Sequence, residues 1–185
     1  IFEKHGLVAT KKQRVRHPRA TPTELKSSAR PNDLWCIDFK GHFKMQNSHY
    51  CYPLTVTDHS SRFILCCEAL ESTKTHPTLE VMDEVFTTYG LPDRIRSDNG
   101  SPFASTGLYG LSRLSVWFLR HGIELERIEP GHPEQNGRHE RMHRTLKKAT
   151  ALPAESNLLA QQESFDRFKD EFNIERPHEG LDMQL

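Results

Sequence analysis

The chain has 185 residues, of which 35% are hydrophobic and 27% are charged, and its mean hydropathy is -0.70. This length is enough for one substantial domain plus a tail. No apolar run approaches the roughly 20 residues that cross a bilayer, and no signal-peptide pattern opens the chain, so we predict a soluble, cytoplasmic protein. Because the sequence begins at Ile1 and not at Met, we also predict that it is an excised fragment.

Charge is unevenly distributed along the chain. The formal net charge is +0, which by itself argues against nucleic-acid binding. Residues 1–30, however, hold eight lysines and arginines against two glutamates, so this segment carries +6 and the remainder -6. A basic arm could contact phosphates while an acidic body holds a cation, but a solvated, disordered linker has the same composition.

A linker and three strands are the first predicted elements. Residues 1–31 lack hydrophobic periodicity and contain three prolines, which predicts a basic linker that ends at Pro31. Apolar stretches then predict strands over residues 34–39, 50–57 and 63–70, with turn-forming residues between the last two. Proline cannot donate a hydrogen bond to a neighbouring strand, so Pro53 predicts a bulge.

The second half of the chain alternates helices and short strands. Thr75 as the N-cap, Pro77 in the first turn and apolar residues at helical spacing predict a helix that Gly90 closes. The next stretches predict a strand at 94–96, a long helix after Phe103 that ends at Gly122, a strand at 123–125, a loop at 130–133, and helices at 134–150 and 158–172. This order indicates an α/β fold, a mixed sheet with helices on both faces.

The four cysteines are predicted to be buried, reduced thiols. None lies in a C-x-x-C pair, and Cys66 and Cys67 are adjacent. This spacing suits neither a zinc site nor a simple disulfide, and several of the four fall within predicted strands.

Two aspartates occupy positions that need explanation. Asp38 lies inside an otherwise apolar strand, where an unpaired carboxylate is costly, so it requires a cation or hydrogen-bond donors nearby. Asp98 lies where a strand gives way to an Asn-Gly turn. Sites in α/β proteins are built at strand ends, although local chemistry alone favours a turn-forming role for Asp98.

The predicted helix at 134–150 has one thin apolar stripe. At about 100° per residue, Met142, Leu146 and Ala149 share one face. The opposite side carries a carboxylate among bases: Glu140, Arg144 and Lys147. This side is either a solvated face with an ordinary i,i+4 pair or a metal ligand flanked by phosphate-binding cations, and the helix alone does not decide between them.

Residues 139–143 also match H-E-x-x-H, the zinc metalloprotease signature. That interpretation needs a third ligand and a substrate cleft, and it leaves Asp38 and Asp98 without a role. An interpretation with three carboxylates gives Glu140, Asp38 and Asp98 one common function, and we prefer it.

Four stretches of the chain, in order, resemble the integrase catalytic core: Trp35–Asp38, Asp58–Arg62, Tyr89–Phe103 and Pro130–His143. Phe172–His178 resembles the closing segment of the same family. The resemblance covers roughly residues 31–180 and is greatest for bacterial insertion-sequence transposases of the D-D-E type, which are related to retroviral integrases.

The resemblance implies an RNase H-like fold with a five-stranded mixed sheet, in which three antiparallel strands come first. Residues 1–31 would be a basic arm that follows a missing N-terminal DNA-binding region. Residues 32–152 would form the integrase catalytic core, and residues 153–185 would form its C-terminal helix and truncated tail. The 41 residues between Asp98 and Glu140 exceed the interval in retroviral integrases, and we expect the excess to lengthen the helix after Phe103.

The resemblance also implies the site and its chemistry. Asp38, Asp98 and Glu140 would be the catalytic residues and metal ligands, because the spacing from Gly137 favours Glu140 over Glu134. They would hold two Mg²⁺ ions, for which Mn²⁺ would substitute, with Asp38 bridging both ions. The reaction would be hydrolysis at transposon ends, followed by attack of the freed 3′-hydroxyl on target DNA.

Other residues receive roles from the same resemblance. The predicted DNA contacts are Arg144, Lys147, Lys148, Asn136, Gln135 and Ser101. Asn99 and Gly100 would shape the turn that aims Asp98, and Asp58 and Arg62 would be structural. The expected partners are transposon-end and target DNA and further copies of the chain, in a homodimer or larger assembly. A nuclease of the same fold and a defective DNA-binding remnant are the rival hypotheses.

Overall fold

The computed structural model describes residues 25–129 and 132–174. Its strands are β1 (Trp35–Phe39), β2 (Phe43–Lys44), β3 (Tyr50–Asp58), β4 (Ile64–Leu70), β5 (Arg94–Ser97) and β6 (Glu124–Arg127). Its helices are α1 (Thr75–Tyr89), α2 (Arg113–Arg120), α3 (Gly137–Thr150) and α4 (Leu158–Ile174), and short 3₁₀ turns lie at Leu108–Gly110 and Pro133–Asn136. Within the described residues, no helix is long and apolar enough to span a membrane.

The sheet is mixed. β1 pairs antiparallel with β3 and parallel with β5, β3 pairs antiparallel with β4, and β5 pairs parallel with β6. The five longer strands therefore run in the order β4-β3-β1-β5-β6, which confirms the predicted RNase H-like α/β fold. The two-residue strand β2 pairs with the start of β3 and is too short to be predicted from periodicity. The register shift in β3 lies at Val56/Thr57 and not at Pro53, which stays in the ladder opposite Ala69.

Helices cover both faces of the sheet, as predicted. α1 and α2 pack over one face, where Trp35, Ile37 and Leu54 belong to the first core cluster. α3 and α4 pack over the other face, where Cys51 and Phe165 belong to the second. Because side chains alternate along a strand, Cys36 and Asp38 point away from the face that Trp35 and Ile37 fill, toward α3.

The predicted helix after Phe103 is wrong in its first half. An α-helix forms only from Arg113, after Ser112, whose hydroxyl accepts from the Ser115 N–H. Tyr109 and Gly110 have φ values of 55° and 67°, which interrupt any helix before that point. The extra residues between Asp98 and Glu140 therefore form irregular backbone and not a longer helix. Thr75 is likewise the first residue of α1 and not its N-cap, a position that Lys74 occupies.

Four buried free cysteines confirm the prediction made for Cys36, Cys51, Cys66 and Cys67. Burial raises the pKa of Cys36 and of Cys51 to about 12, so these thiols are protonated at neutral pH. They act as small apolar side chains within the core.

A buried ion cluster closes the β5–β6 side of the sheet. Glu126 on β6 pairs with Arg94 and with Arg96 on β5, and its Oε2 atom lies 2.8 Å from Arg96 Nη2. Residues 26 and 27 of the predicted linker cover it: the Lys26 N–H donates to Glu126, and the Ser27 carbonyl accepts from Arg94. The end of the linker is thus fixed against the sheet, whereas residues 1–24 lie outside the described part of the chain.

Candidate active site

Asp38 is held on β1 between the sheet and α3. Its side chain is only 18% exposed, and burial raises its pKa to about 7, with further increases from the nearby Asp98 and Glu140 carboxylates. A carboxyl group whose charge is disfavoured by burial and by two like charges has a strong tendency to bind a proton or a cation. This is the environment that the apolar sequence around Asp38 predicted.

Asp98 follows the last residue of β5, at the strand end where sites are built. The Gly100 N–H donates to its Oδ1 atom at 2.9 Å, and burial raises its pKa. A Cβ atom on residue 100 would lie 2.9 Å from Asp98 Oδ2, so a glycine is needed for this close approach. Asn99 ties the turn to the Ile128 carbonyl. The predicted role of Asn99 and Gly100 in shaping this turn is confirmed.

Glu140 comes from the first turn of α3. Its side chain is 41% exposed, and its Oε2 atom lies 3.7 Å from Nζ of Lys40, which follows β1 directly. The three carboxylates therefore come from β1, from the end of β5 and from the helix after β6.

Two histidines of α3 lie against β3 on the buried side of the helix. Thr55 Oγ1 is 2.9 Å from His139 Nε2 and 2.6 Å from His143 Nε2. Thr57 Oγ1 is 2.8 Å from His139 Nδ1. Burial lowers the pKa of His139 to about 3 and that of His143 well below its usual range, so both rings are neutral at pH 7.

The H-E-x-x-H segment does not form the arrangement of a zinc metalloprotease. Such a site needs both histidines as ligands, but threonine hydroxyls engage both ring nitrogens of His139. Instead, ligand atoms of Asp38, Glu140 and His143 lie within 4.8 Å of one another. Two carboxylates and one imidazole at this spacing can hold a divalent cation.

The predicted buried stripe of α3 was partly wrong. Met142 and Leu146 are buried as predicted, but Ala149 is exposed, and His139 and His143 belong to the buried face. The same 100° spacing could have found them, since it places both histidines beside Leu146. Their burial follows from Thr55 and Thr57, hydrogen-bond partners more than 80 residues away in the sequence.

A basic cleft lies next to the carboxylates. Arg144, Lys147 and Lys148, three of the predicted DNA contacts, line it together with Lys40 and His42, which the sequence analysis missed. All except Lys40 are exposed. Side chains of this kind on one surface are suited to phosphate groups.

The other predicted DNA contacts lie apart from this cleft. Gln135 and Asn136 line a separate cleft with Arg138 and Arg141. Asn136 is buried, and the side-chain carbonyl of Gln135 accepts from the Glu129 N–H. Ser101 is exposed, three residues after Asp98. The roles of these residues in DNA binding stay predictions.

Asp58 has a structural role, as predicted. Its buried carboxylate accepts from the Asn32 and Ser61 N–H groups and from the Ser61 hydroxyl, which closes the turn between β3 and β4. The Arg62 N–H donates to the Asp58 carbonyl.

Comparison with known families assigns the chain to one group of proteins. The sequence profile described as "Integrase core domain" matches residues 28–133, which is more than half of the chain. The chain belongs to the integrase core domain family. A second profile with the same description matches residues 121–184, so the integrase core extends through α3 and α4.

Relatives of this integrase core occur in bacterial insertion elements and in retroviruses. An uncharacterized 39.2 kDa protein of insertion element IS476 from Xanthomonas euvesicatoria is 29% identical over 74% of the chain. An uncharacterized 31.7 kDa protein of insertion element IS407 from Burkholderia multivorans is 22% identical over 98% of the chain. The Gag-Pol polyprotein of baboon endogenous virus is 32% identical over 70%. The chain spans 37%, 63% and 7% of these three proteins, respectively.

Solved structures share the fold of this integrase core. The HTLV-2 integrase catalytic core domain in complex with magnesium, in its trimeric form, superposes with a TM-score of 0.61 at 14% identity, covering 84% of this chain and 97% of that one. The simian T-cell lymphotropic virus intasome, in complex with a PP2A regulatory subunit, superposes with a TM-score of 0.68 at 17% identity, covering 94% and 58%.

Proposed function

We propose that this chain is the catalytic core of a D-D-E type DNA transposase. It would hydrolyse phosphodiester bonds at transposon ends and join the freed 3′-hydroxyl to target DNA. The observation that carries this proposal is the convergence of Asp38, Asp98 and Glu140. Burial and repulsion by Asp98 and Glu140 raise the pKa of Asp38 to about 7, although Lys40 lies 3.7 Å from Glu140, so the cluster favours a further cation. The relatives from insertion elements support transposon DNA as the substrate.

The ligand atoms of the cluster suit Mg²⁺. Carboxylate oxygens are hard donors of the kind that Mg²⁺ and Mn²⁺ prefer, and the HTLV-2 integrase core was solved with magnesium. Asp38, whose pKa both other carboxylates raise, would bridge two ions, while Asp98 and Glu140 would each hold one. When bound, the two ions would neutralise the phosphate charge and stabilise the leaving oxygen.

The chain's own residues would supply alignment and charge. The Gly100 N–H fixes the orientation of Asp98, and the packing of α3 against β3 fixes Glu140. The cleft with Arg144, Lys147 and Lys148 would hold the backbone of end DNA beside the carboxylates. Lys40, 3.7 Å from Glu140, would be free to turn toward a phosphate when a metal ion neutralises that carboxylate.

Assembly and cellular location follow from the same proposal. Joining two transposon ends to one target requires active sites that act together, so we expect a homodimer or a larger assembly. The dimeric and trimeric forms of the HTLV-2 integrase core support this. The bacterial insertion-element relatives support action on chromosomal DNA in the bacterial cytoplasm.

Strand transfer with labelled DNA, carrying the ends of the element that encodes the protein, tests the proposal with Mg²⁺ or Mn²⁺. Glu140→Gln keeps the size of the side chain but removes its charge, and we expect it to lower joining on the order of 10³-fold. Glu163→Gln, an exposed position on α4, is the matched control. Unchanged joining by Glu140→Gln would refute the assignment. Hydrolysis without joining by the wild-type protein would instead indicate a nuclease.

A further inference from the structure

His143 has a buried ring nitrogen with no hydrogen-bond partner. The side chain is 0% exposed, and its Nδ1 atom is among the buried polar atoms without a partner in the described part of the chain. This atom lies 3.8 Å from Asp38 Oδ2. An unsatisfied buried polar atom is costly, so its position beside a carboxylate needs an explanation.

The hydrogen bonds of Thr55 determine which ring nitrogen of His143 carries the proton. The Thr55 hydroxyl has one hydrogen, and it donates it to the main-chain carbonyl of Asp38 at 3.1 Å, an oxygen that can only accept. Thr55 Oγ1 must therefore accept from both His139 Nε2 and His143 Nε2. With its proton on Nε2, the neutral His143 ring has a lone pair on Nδ1.

Two electron-pair donors thus face each other across 3.8 Å, an imidazole nitrogen and a carboxylate oxygen. A cation between them would satisfy both. In an octahedral site with bonds of about 2.1 Å, adjacent ligand atoms lie about 3 Å apart and opposite ones about 4.2 Å apart. The separation of 3.8 Å falls between these values, and ligand atoms of Asp38, Glu140 and His143 all lie within 4.8 Å of one another.

We propose that His143 Nδ1 is a direct ligand of the metal ion shared by Asp38 and Glu140. The proposal rests on the proposed function, which requires an ion between these carboxylates. It adds a nitrogen donor to a site made otherwise of oxygen atoms. Nitrogen donors favour Mn²⁺ over Mg²⁺, so this site would select Mn²⁺ more strongly than three carboxylates alone.

Pulsed EPR of the wild-type protein with Mn²⁺ tests the proposal directly. A coordinated imidazole gives a ¹⁴N hyperfine coupling in the electron-spin-echo envelope, and we expect this coupling without DNA or turnover. If Mn²⁺ binds but the spectrum shows no imidazole coupling, His143 is not a ligand, although the proposed function stands. If Mn²⁺ does not bind at all, both proposals fail.

Two variants separate the ring nitrogens of His143. His143→Gln places an amide near the Nε2 position and keeps the contact with Thr55, whereas His143→Asn places one near Nδ1. We expect His143→Gln to weaken Mn²⁺ binding about tenfold or more in calorimetric titration. We expect His143→Asn to retain metal binding through an oxygen, lose the imidazole coupling and discriminate less between Mn²⁺ and Mg²⁺.

His76→Gln, at an exposed histidine on α1, is the matched control and should leave both the coupling and the affinity unchanged. The proposal is overturned if His143→Gln and His143→Asn retain the wild-type spectrum. It is also overturned if only His76→Gln abolishes the coupling. Because the spectrum of the wild-type protein is itself a test, the proposal can still be decided if either variant fails to fold.

Discussion

Two clusters of charged side chains lie against the same sheet, and they are neutralised in opposite ways. In the arginine–glutamate cluster (Arg94, Arg96 and Glu126), opposite charges are in contact and the end of the linker supplies further hydrogen bonds. In the carboxylate cluster (Asp38, Asp98 and Glu140), like charges converge and raise the pKa of Asp38. The protein neutralises the first cluster itself, whereas the second has Lys40 beside Glu140 and, under the proposed function, would be completed by a metal ion.

The difference separates stability from function. A buried charge with its partner in place contributes to a single folded arrangement, and removing that partner exposes the full cost of burial. A buried charge without a partner costs stability until a ligand arrives, and this is typical of a functional site. The following changes test the distinction, from the largest expected effect to the smallest.

Glu126→Gln should destabilise the protein by about 3–5 kcal/mol, because it leaves two buried guanidinium groups without a counter-charge. Urea unfolding followed by the fluorescence of the buried Trp35 measures this. Glu124→Gln on the same strand is the control: its pair with Lys26 is exposed, so we expect a loss below about 1 kcal/mol. Equal losses in the two variants would mean that Glu126 does not hold its cluster together.

Gly100→Ala should lower strand transfer on the order of 10²-fold with little change in stability. The added Cβ would lie 2.9 Å from Asp98 Oδ2. The flexible carboxylate would turn away, which costs little stability but changes the orientation of Asp98 in the proposed active site. Gly137→Ala, where nothing lies within 4 Å of the new atom, is the control. Full activity in Gly100→Ala would show that the orientation of Asp98 is not set by this turn.

Asp38→Asn should stabilise the chelator-treated protein at pH 8 by about 2 kcal/mol, which is roughly half of the free energy that corresponds to the full pKa shift. The folded-state pKa of about 7 exceeds the ordinary value of 3.8. Protonated Asp38 therefore contributes stability that is complete below pH 4 and is lost as the pH rises through 7. An asparagine side chain does not ionise, so the variant does not lose this stability as the pH rises.

Thermal unfolding from pH 5 to 8.5 measures the gap in stability between Asp38→Asn and the wild-type protein. The gap should widen with pH and level off above about pH 8. Asp170→Asn, at an exposed position on α4, should show no such trend. A gap that stays constant over this range would contradict a raised pKa at Asp38.

Lys147→Ala should weaken DNA binding by a similar factor on every sequence and lower the slope of log K against log salt by about 1, the signature of one lost phosphate contact. Arg167→Ala on the exposed side of α4 should leave the slope unchanged. A sequence-dependent loss would indicate that Lys147 reads bases and does not contact the backbone.

Much of the fold could be predicted because its signals are local. Apolar strands, the spacing along α1 and α4 and the closing Gly90 determined most of the elements correctly. The segment before α2 was predicted wrongly because its leucines have helical spacing, while Tyr109 and Gly110 adopt positive φ values that spacing does not reveal.

The site could be predicted only in part. Asp38 was indicated by its own surroundings, whereas Asp98 and Glu140 depended on the family resemblance. His143 and Lys40 were missed because their importance comes from contacts across the fold, with Asp38 and Glu140 respectively. A sequence shows which residues are unusual where they stand, but not which distant residues they meet.

The contact between Thr55 and the two histidines of α3 also fixes the register of that helix. Its buried face partly repeats every four residues, since His139 and Met142 are followed by His143 and Leu146, but a slip of one turn would bring Lys147 to the buried place of His143. Such a slip would bring Arg144 to the place of Glu140, opposite Asp38. One hydroxyl that accepts from both rings distinguishes the two registers. It thereby decides whether a carboxylate or a guanidinium faces Asp38.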